Sequence, residues 1–139
     1  MEVNAIRQVA VPWAGARGLT TGLMLTELHQ DVWSGCLELA MGVPSGMDTP
    51  PHIVYWLSFG HLYGYRVLEG ADVPELLEDD DDIDSQIQLI TPSRFLTWFH
   101  QETMGSHLDE DIQHYRIACW DFCVDVLAAQ PPDVCINKE

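Results

Sequence analysis

Residues 75–84, Glu-Leu-Leu-Glu-Asp-Asp-Asp-Asp-Ile-Asp, carry seven carboxylates in ten positions. Such a run cannot enter a core, because every buried carboxylate needs its own cation or set of donors. It must lie on the surface at the midpoint of a 139-residue chain. It is also the densest part of a wider asymmetry. Residues 1–68 hold five acids and three bases, a net −2, whereas residues 69–139 hold 17 acids and three bases, a net −14. Like charges so concentrated repel in the compact state unless a partner or cations neutralise them.

The apolar share of 47% suits a folded domain and is too high for disorder. The length fits one globular domain over 1–139, with a loose N-terminal arm at 1–18 and an acidic loop at 75–84. No stretch of about 20 apolar residues occurs, which argues against a helical membrane span. The opening Met-Glu-Val-Asn-Ala is acidic and lacks an apolar signal region. A cytoplasmic setting with reduced thiols is therefore expected for Cys36, Cys119, Cys123 and Cys135.

Spacing of the apolar residues points to helices. Met24, Leu28, Val32, Cys36 and Leu39 recur at three and four over 20–41. Leu108, Ile112, Tyr115, Cys119, Phe122 and Val126 do so after the capping-box-like Ser106-His-Leu-Asp109. Thr91-Pro92 reads as a cap followed by proline, ahead of Phe95, Leu96, Trp98 and Phe99. Residues 53–68 are apolar nearly all round, as in a buried helix; their Ile, Val, Tyr, Trp and Phe equally suit a hairpin turning at Gly60-His61. The predicted fold is mainly α, a compact single-domain bundle of about four to five helices. The alternative is α+β with a hairpin at 53–68.

Catalytic signatures are absent. No Gly-x-Ser-x-Gly, phosphate loop or dinucleotide fingerprint occurs. Asp111-Ile-Gln-His114 is the acid-x-x-His pair of di-iron bundles, but it stands without a second such pair. Cys119 and Cys123 sit on an apolar stripe, where cysteine behaves as a small hydrophobe, not in the paired loops of a zinc site. The aspartate run lacks the glycine and terminal glutamate of a calcium loop. No metal and no cofactor are expected. Of the five tryptophans, Trp13 between Pro12 and Ala14 is the one expected to be exposed.

Direct binding to nucleic acid or to anionic membranes is disfavoured, since both need Lys and Arg. A basic protein is the natural complement. In size and composition alone the chain looks like small acidic proteins that block basic partners: DNA mimics, phage anti-defence and anti-CRISPR-like inhibitors, and immunity proteins. The expectation is a non-enzymatic inhibitor or adaptor docking through Glu75, Glu78, Asp79, Asp80, Asp81, Asp82 and Asp84. Asp109, Glu110 and Asp111 would form a second patch, with Trp13 as an aromatic contact. Two alternatives stand beside it. One is an immunity protein neutralising a cognate toxin. The other is a metal- or cysteine-dependent enzyme on a helical bundle, in which His114, Asp111 or Cys119 converge.

Overall fold

Alternation with period two, not the helical period, governs most of the chain. The computed structural model describes residues 7–69 and 86–137. It consists mainly of two antiparallel sheets packed face to face. The first has five strands: Ala10–Pro12 (β1), Ile87–Ile90 (β6), Gln113–Ala118 (β7), Phe122–Ala128 (β8) and Leu62–Glu69 (β5), in the spatial order β1-β6-β7-β8-β5. The second has four: Met24–Asp31 (β2), Cys36–Val43 (β3), His52–Phe59 (β4) and Asp133–Ile136 (β9), in the order β2-β3-β4-β9. The only α-helix among the described residues is Arg94–Glu102 (α1). The expected bundle of helices is thus overturned.

The core lies between the sheets. Leu37, Leu39 and Met41 of β3 and Tyr55, Leu57 and Phe59 of β4 point inward at every second residue. They meet Tyr115 and Ile117 of β7 and Val124, Val126 and Ala128 of β8, again two apart. Phe59 and Tyr115 touch across the interface with ring centroids 5.6 Å apart. Burial of this kind is the main driving force for such a sandwich.

Each misplaced helix has a physical explanation. Residues 20–41 hold the β2–β3 hairpin. Spacings of four are even numbers, so they satisfy a strand as well as a helix. The odd step from Cys36 to Leu39 crosses faces, since Leu37, Leu39 and Met41 form the inward row, and a bulge between Leu25 and Glu27 lets Leu25 and Leu28 both pack on the core. Gly35, expected inside a helix, closes the hairpin at φ +73°, and its N–H donates to Asp31 O at 2.8 Å. Residues 106–128 include β7 and β8, joined through Cys119-Trp120-Asp121. Both faces of this pair are covered, by the second sheet inside and by α1 outside, so the polar–apolar contrast is weak there.

Residues 53–68 form two strands and no helix, but the α+β alternative with a hairpin there is overturned too, because β4 and β5 do not pair with each other. β4 lies between β3 and β9, and β5 borders β8. Gly60-His61 carries the chain from one sheet to the other, so the segment is a crossover between layers, not a hairpin. The helix expected after Thr91-Pro92 exists, and starts at a different cap. Ser93 is the N-cap, its Oγ accepting from Leu96 N–H at 2.9 Å.

The arm is tied in from Gln8 onward: Gln8 Oε1 accepts from Arg94 N–H and Val9 O from Thr91 N–H. β1 pairs with β6, with Pro12 at the sheet edge where a missing N–H does no harm. A 3-10 turn at Ala14–Ala16 then buries Ala16. Beyond the crossover, the amide of Gln86 clamps the second sheet to the first: Leu23 N–H donates to Oε1 at 3.2 Å and Nε2 donates to Leu23 O at 2.8 Å. Residues 75–84, the expected acidic loop, lie outside the described residues. No helix among the described residues is long and apolar enough to cross a membrane.

Candidate functional site

Register places a row of charged side chains on the outer face of the five-stranded sheet. Arg66 on β5 stands opposite Asp125 on β8, and Asp125 stands opposite Arg116 on β7. Since Val124 and Val126 face the core, Asp125 between them must face outward. Its carboxylate is 1% exposed. Arg66 Nε donates to Oδ2 at 2.9 Å and Arg116 Nε donates to Oδ1 at 2.9 Å.

The third partner is His114, two residues before Arg116 and on the same face. His114 Nε2 lies 2.6 Å from Asp125 Oδ1, and Nδ1 lies 2.7 Å from Ser93 Oγ. These contacts define one proton arrangement. The carboxylate only accepts, so Nε2 carries the hydrogen. Nδ1 then accepts from the Ser93 hydroxyl, whose oxygen in turn accepts from Leu96 N–H. A single string of donors and acceptors thus runs from the first turn of α1 to the centre of the sheet. It fixes where the helix sits.

Titration follows from this geometry. Burial pushes His114 down, more strongly than the hydrogen bond to Asp125 pulls it up, so the imidazole is neutral at pH 7. Burial alone would raise Asp125, but the bond from His114 and the two guanidinium charges outweigh it and hold the carboxyl well below its usual range. Serine, histidine and aspartate in one string invite comparison with a hydrolytic triad. The comparison fails on access: Ser93 is buried and its oxygen already serves as the helix cap. Nor do the groups expected to converge in an enzyme do so. His114 faces outward, Cys119 belongs to the inter-sheet core, and Asp111 is exposed on the loop ahead of β7. Among the described residues no three His, Cys, Asp or Glu side chains gather as metal ligands.

Over the row, α1 and β5 form the walls of a groove of about 690 Å³. Tyr63, Arg66, Phe95, Trp98, Phe99 and Leu127 line most of it. The Arg66 guanidinium sits 4.5 Å over the Phe95 ring, and Phe95 stacks on Trp98 with centroids 5.9 Å apart. Arg94 and Glu102, both from α1, line it as well.

Of the carboxylates expected to form a docking surface, Asp109, Glu110 and Asp111 are among the described residues. Residues 75–84 lie outside the described residues. Their nearest described neighbours, Glu69 and Gln86, are at the end of the sheet holding the β7–β8 turn, for Glu69 pairs with Phe122 and Gln86 O accepts from Ala118 N–H. Asp109, Glu110 and Asp111 are exposed at the other end, ahead of Gln113, which pairs with Ala128. Six strand steps separate these ends, about 20 Å. Glu110 accepts from Tyr63 OH at 3.2 Å and pairs with His107; the bond from His107 is the main reason its carboxyl is lowered.

Trp13, expected to be exposed, is half-buried and packs edge-on against Tyr115 at 6.3 Å. The exposed tryptophans are Trp33, 98% accessible at the β2–β3 tip, and Trp120, 77% accessible in the β7–β8 turn. The expectation that Trp13 is the exposed tryptophan is thus overturned. The buried row was also missed, although His114-Tyr-Arg116-Ile alternates polar and apolar residues as a strand does. Compared with family models, with curated proteins and with solved structures, the chain matches none.

Proposed function

We propose that this is a non-enzymatic binding protein whose acidic half docks on a basic protein surface, of the kind that otherwise holds nucleic acid. The observation that carries this reading is the net −14 of residues 69–139. Carboxylates at that density attract a Lys/Arg-rich groove from a distance and speed the encounter. Trp120 supports it: an exposed aromatic beside Asp121, at the sheet end from which residues 70–85 depart, supplies the apolar anchor that interfaces use. The action is read as cytoplasmic, in keeping with four free thiols.

The test compares the full chain with a variant carrying Asn at Asp79, Asp80, Asp81 and Asp82, and with Trp120→Ala, as baits in cell lysate. Wild type should retain a basic protein at low salt, release it at high salt, and release it to duplex DNA. The Asn variant should associate more slowly with a flatter salt dependence, and Trp120→Ala should dissociate faster. Equal association rates for wild type and the Asn variant at low salt would refute the proposal.

A further inference from the structure

The groove between α1 and β5 has the size and wall chemistry of a small-molecule site. Pockets that hold such ligands run from about 300 to 1,000 Å³ and combine apolar walls with a few placed polar groups. This one, at about 690 Å³, has aromatic walls that include Tyr63, Phe95, Trp98 and Phe99, a guanidinium fixed among them, and Arg94 and Glu102 as its other charged groups.

Arg66 is what sets the ligand's charge. Its side chain is 35% exposed, in a chain with only six Lys and Arg in all. Nε is committed to Asp125 and the guanidinium plane to Phe95. The two terminal nitrogens have no hydrogen-bond partner among the described residues. They form the planar fork that matches a carboxylate. Because Asp125 and Phe95 already hold the group in place, a ligand need not order a flexible side chain, and less rotamer entropy is lost on binding. Half-exposed Trp98, stacked on Phe95, offers a flat face beside the fork.

We infer that the α1–β5 groove binds a small carboxylate with an aromatic body, the carboxylate on Arg66 and the ring against Trp98 and Phe99. The proposed contacts, Arg66, Trp98 and Phe99, are not residues of the acidic docking surface, so the two readings can fail separately.

The test titrates the full-length protein with 4-phenylbutyrate and, separately, with 4-phenylbutyramide, which has the same body without the charge. Binding is read by two-dimensional NMR at the Trp98 indole N–H and the Arg66 Nε–H. The acid should shift both signals saturably and bind about tenfold tighter than the amide, the worth of one charge-assisted hydrogen bond. Arg66→Gln should erase that preference, and Trp98→Ala should weaken both compounds. Should Arg66→Gln unfold the protein by stranding Asp125, the acid-against-amide ratio on wild type and the Trp98→Ala result decide the matter. Equal affinity for acid and amide, shifts that leave Trp98 unmoved, or no saturable binding of either would overturn the inference.

Discussion

Asp125→Asn removes one charge from the centre of the buried row and should be the most damaging conservative change in the protein. The native carboxylate accepts three hydrogen bonds, from His114 and Arg116 on Oδ1 and from Arg66 on Oδ2. An amide has only one oxygen. If it keeps His114 and Arg116, its NH₂ faces the Arg66 N–H, donor against donor; the flipped amide faces two donors instead. Arg116, 3% exposed, then loses the charged acceptor of its Nε–H. Breaking a buried pair in this way costs about 3–5 kcal/mol, against a total stability of about 5–15 kcal/mol for an ordinary domain. For a chain of this length that is a fall in Tm of roughly 10–20 °C. Urea unfolding followed by circular dichroism should show a lower midpoint at unchanged m-value. A second variant, Asp125→Leu with Arg116→Met, removes both charges and should recover most of the loss, since Arg66 can turn to solvent. A loss below about 1 kcal/mol for Asp125→Asn, or a double variant as unstable as the sum of its parts, would refute the claim that this carboxylate holds the helix-bearing face together.

Two further changes test other parts of the fold. The pKa of His114 is lowered on folding, so below about pH 6.5 the unfolded chain binds the proton first and stability falls as pH drops, by at most ~1.4 kcal/mol per pH unit. The lowered Asp125 adds a second loss only below about pH 3.9. His114→Gln should flatten stability between pH 7 and pH 5 in denaturant titrations at each pH, and equal slopes for the two proteins would count against the buried neutral imidazole. Gly42→Ala should lower stability by about 1–3 kcal/mol, because a Cβ there would lie 2.3 Å from His52 O, a backbone atom that cannot move aside. A thermal melt matching wild type would show that the β3–β4 bulge at Met41–Gly42 yields more easily than its geometry implies.

What the sequence disclosed depended on whether each signal had one interpretation. The Ser93 helix was legible to within a turn because a proline and a hydroxyl at its start agree with the apolar face that follows. The β2–β3 hairpin was not. Met24, Leu28, Val32 and Cys36 are separated by even steps, and only Leu37, Leu39 and Met41 carry the alternation unmixed with a helical period. The β7–β8 pair misled for a different reason. With α1 on one face and a sheet on the other, His114 through Ile117 are all buried, so polarity no longer reports which face is wet. A buried ionic row is the hardest feature to foresee, because Arg66, Arg116 and Asp125 become partners only through register between strands up to 59 residues apart. The charge asymmetry, by contrast, was plain, since it needs no fold to be counted.

Field and site pull in opposite directions here, and salt separates them. The net −16 repels a small carboxylate as it approaches and attracts a basic protein. Of the charged residues that line the groove, Arg66, Arg94 and Glu102, it is Arg66 whose guanidinium is fixed against the Phe95–Trp98 wall. At about 0.15 M salt the Debye length is ~8 Å, so distant acids are largely screened while a contact pair in a partly desolvated cavity is not. Rising salt should therefore loosen a basic partner and leave carboxylate binding unchanged or stronger. Part of the acid is near but solvated: Glu110, on the exposed loop ahead of β7, accepts from Tyr63 OH at the groove wall, whereas Arg66 is anchored from below by Asp125. A chain so short of bases has placed two of its six, Arg66 and Arg94, in the lining of one groove, where they outnumber the single acid there, Glu102.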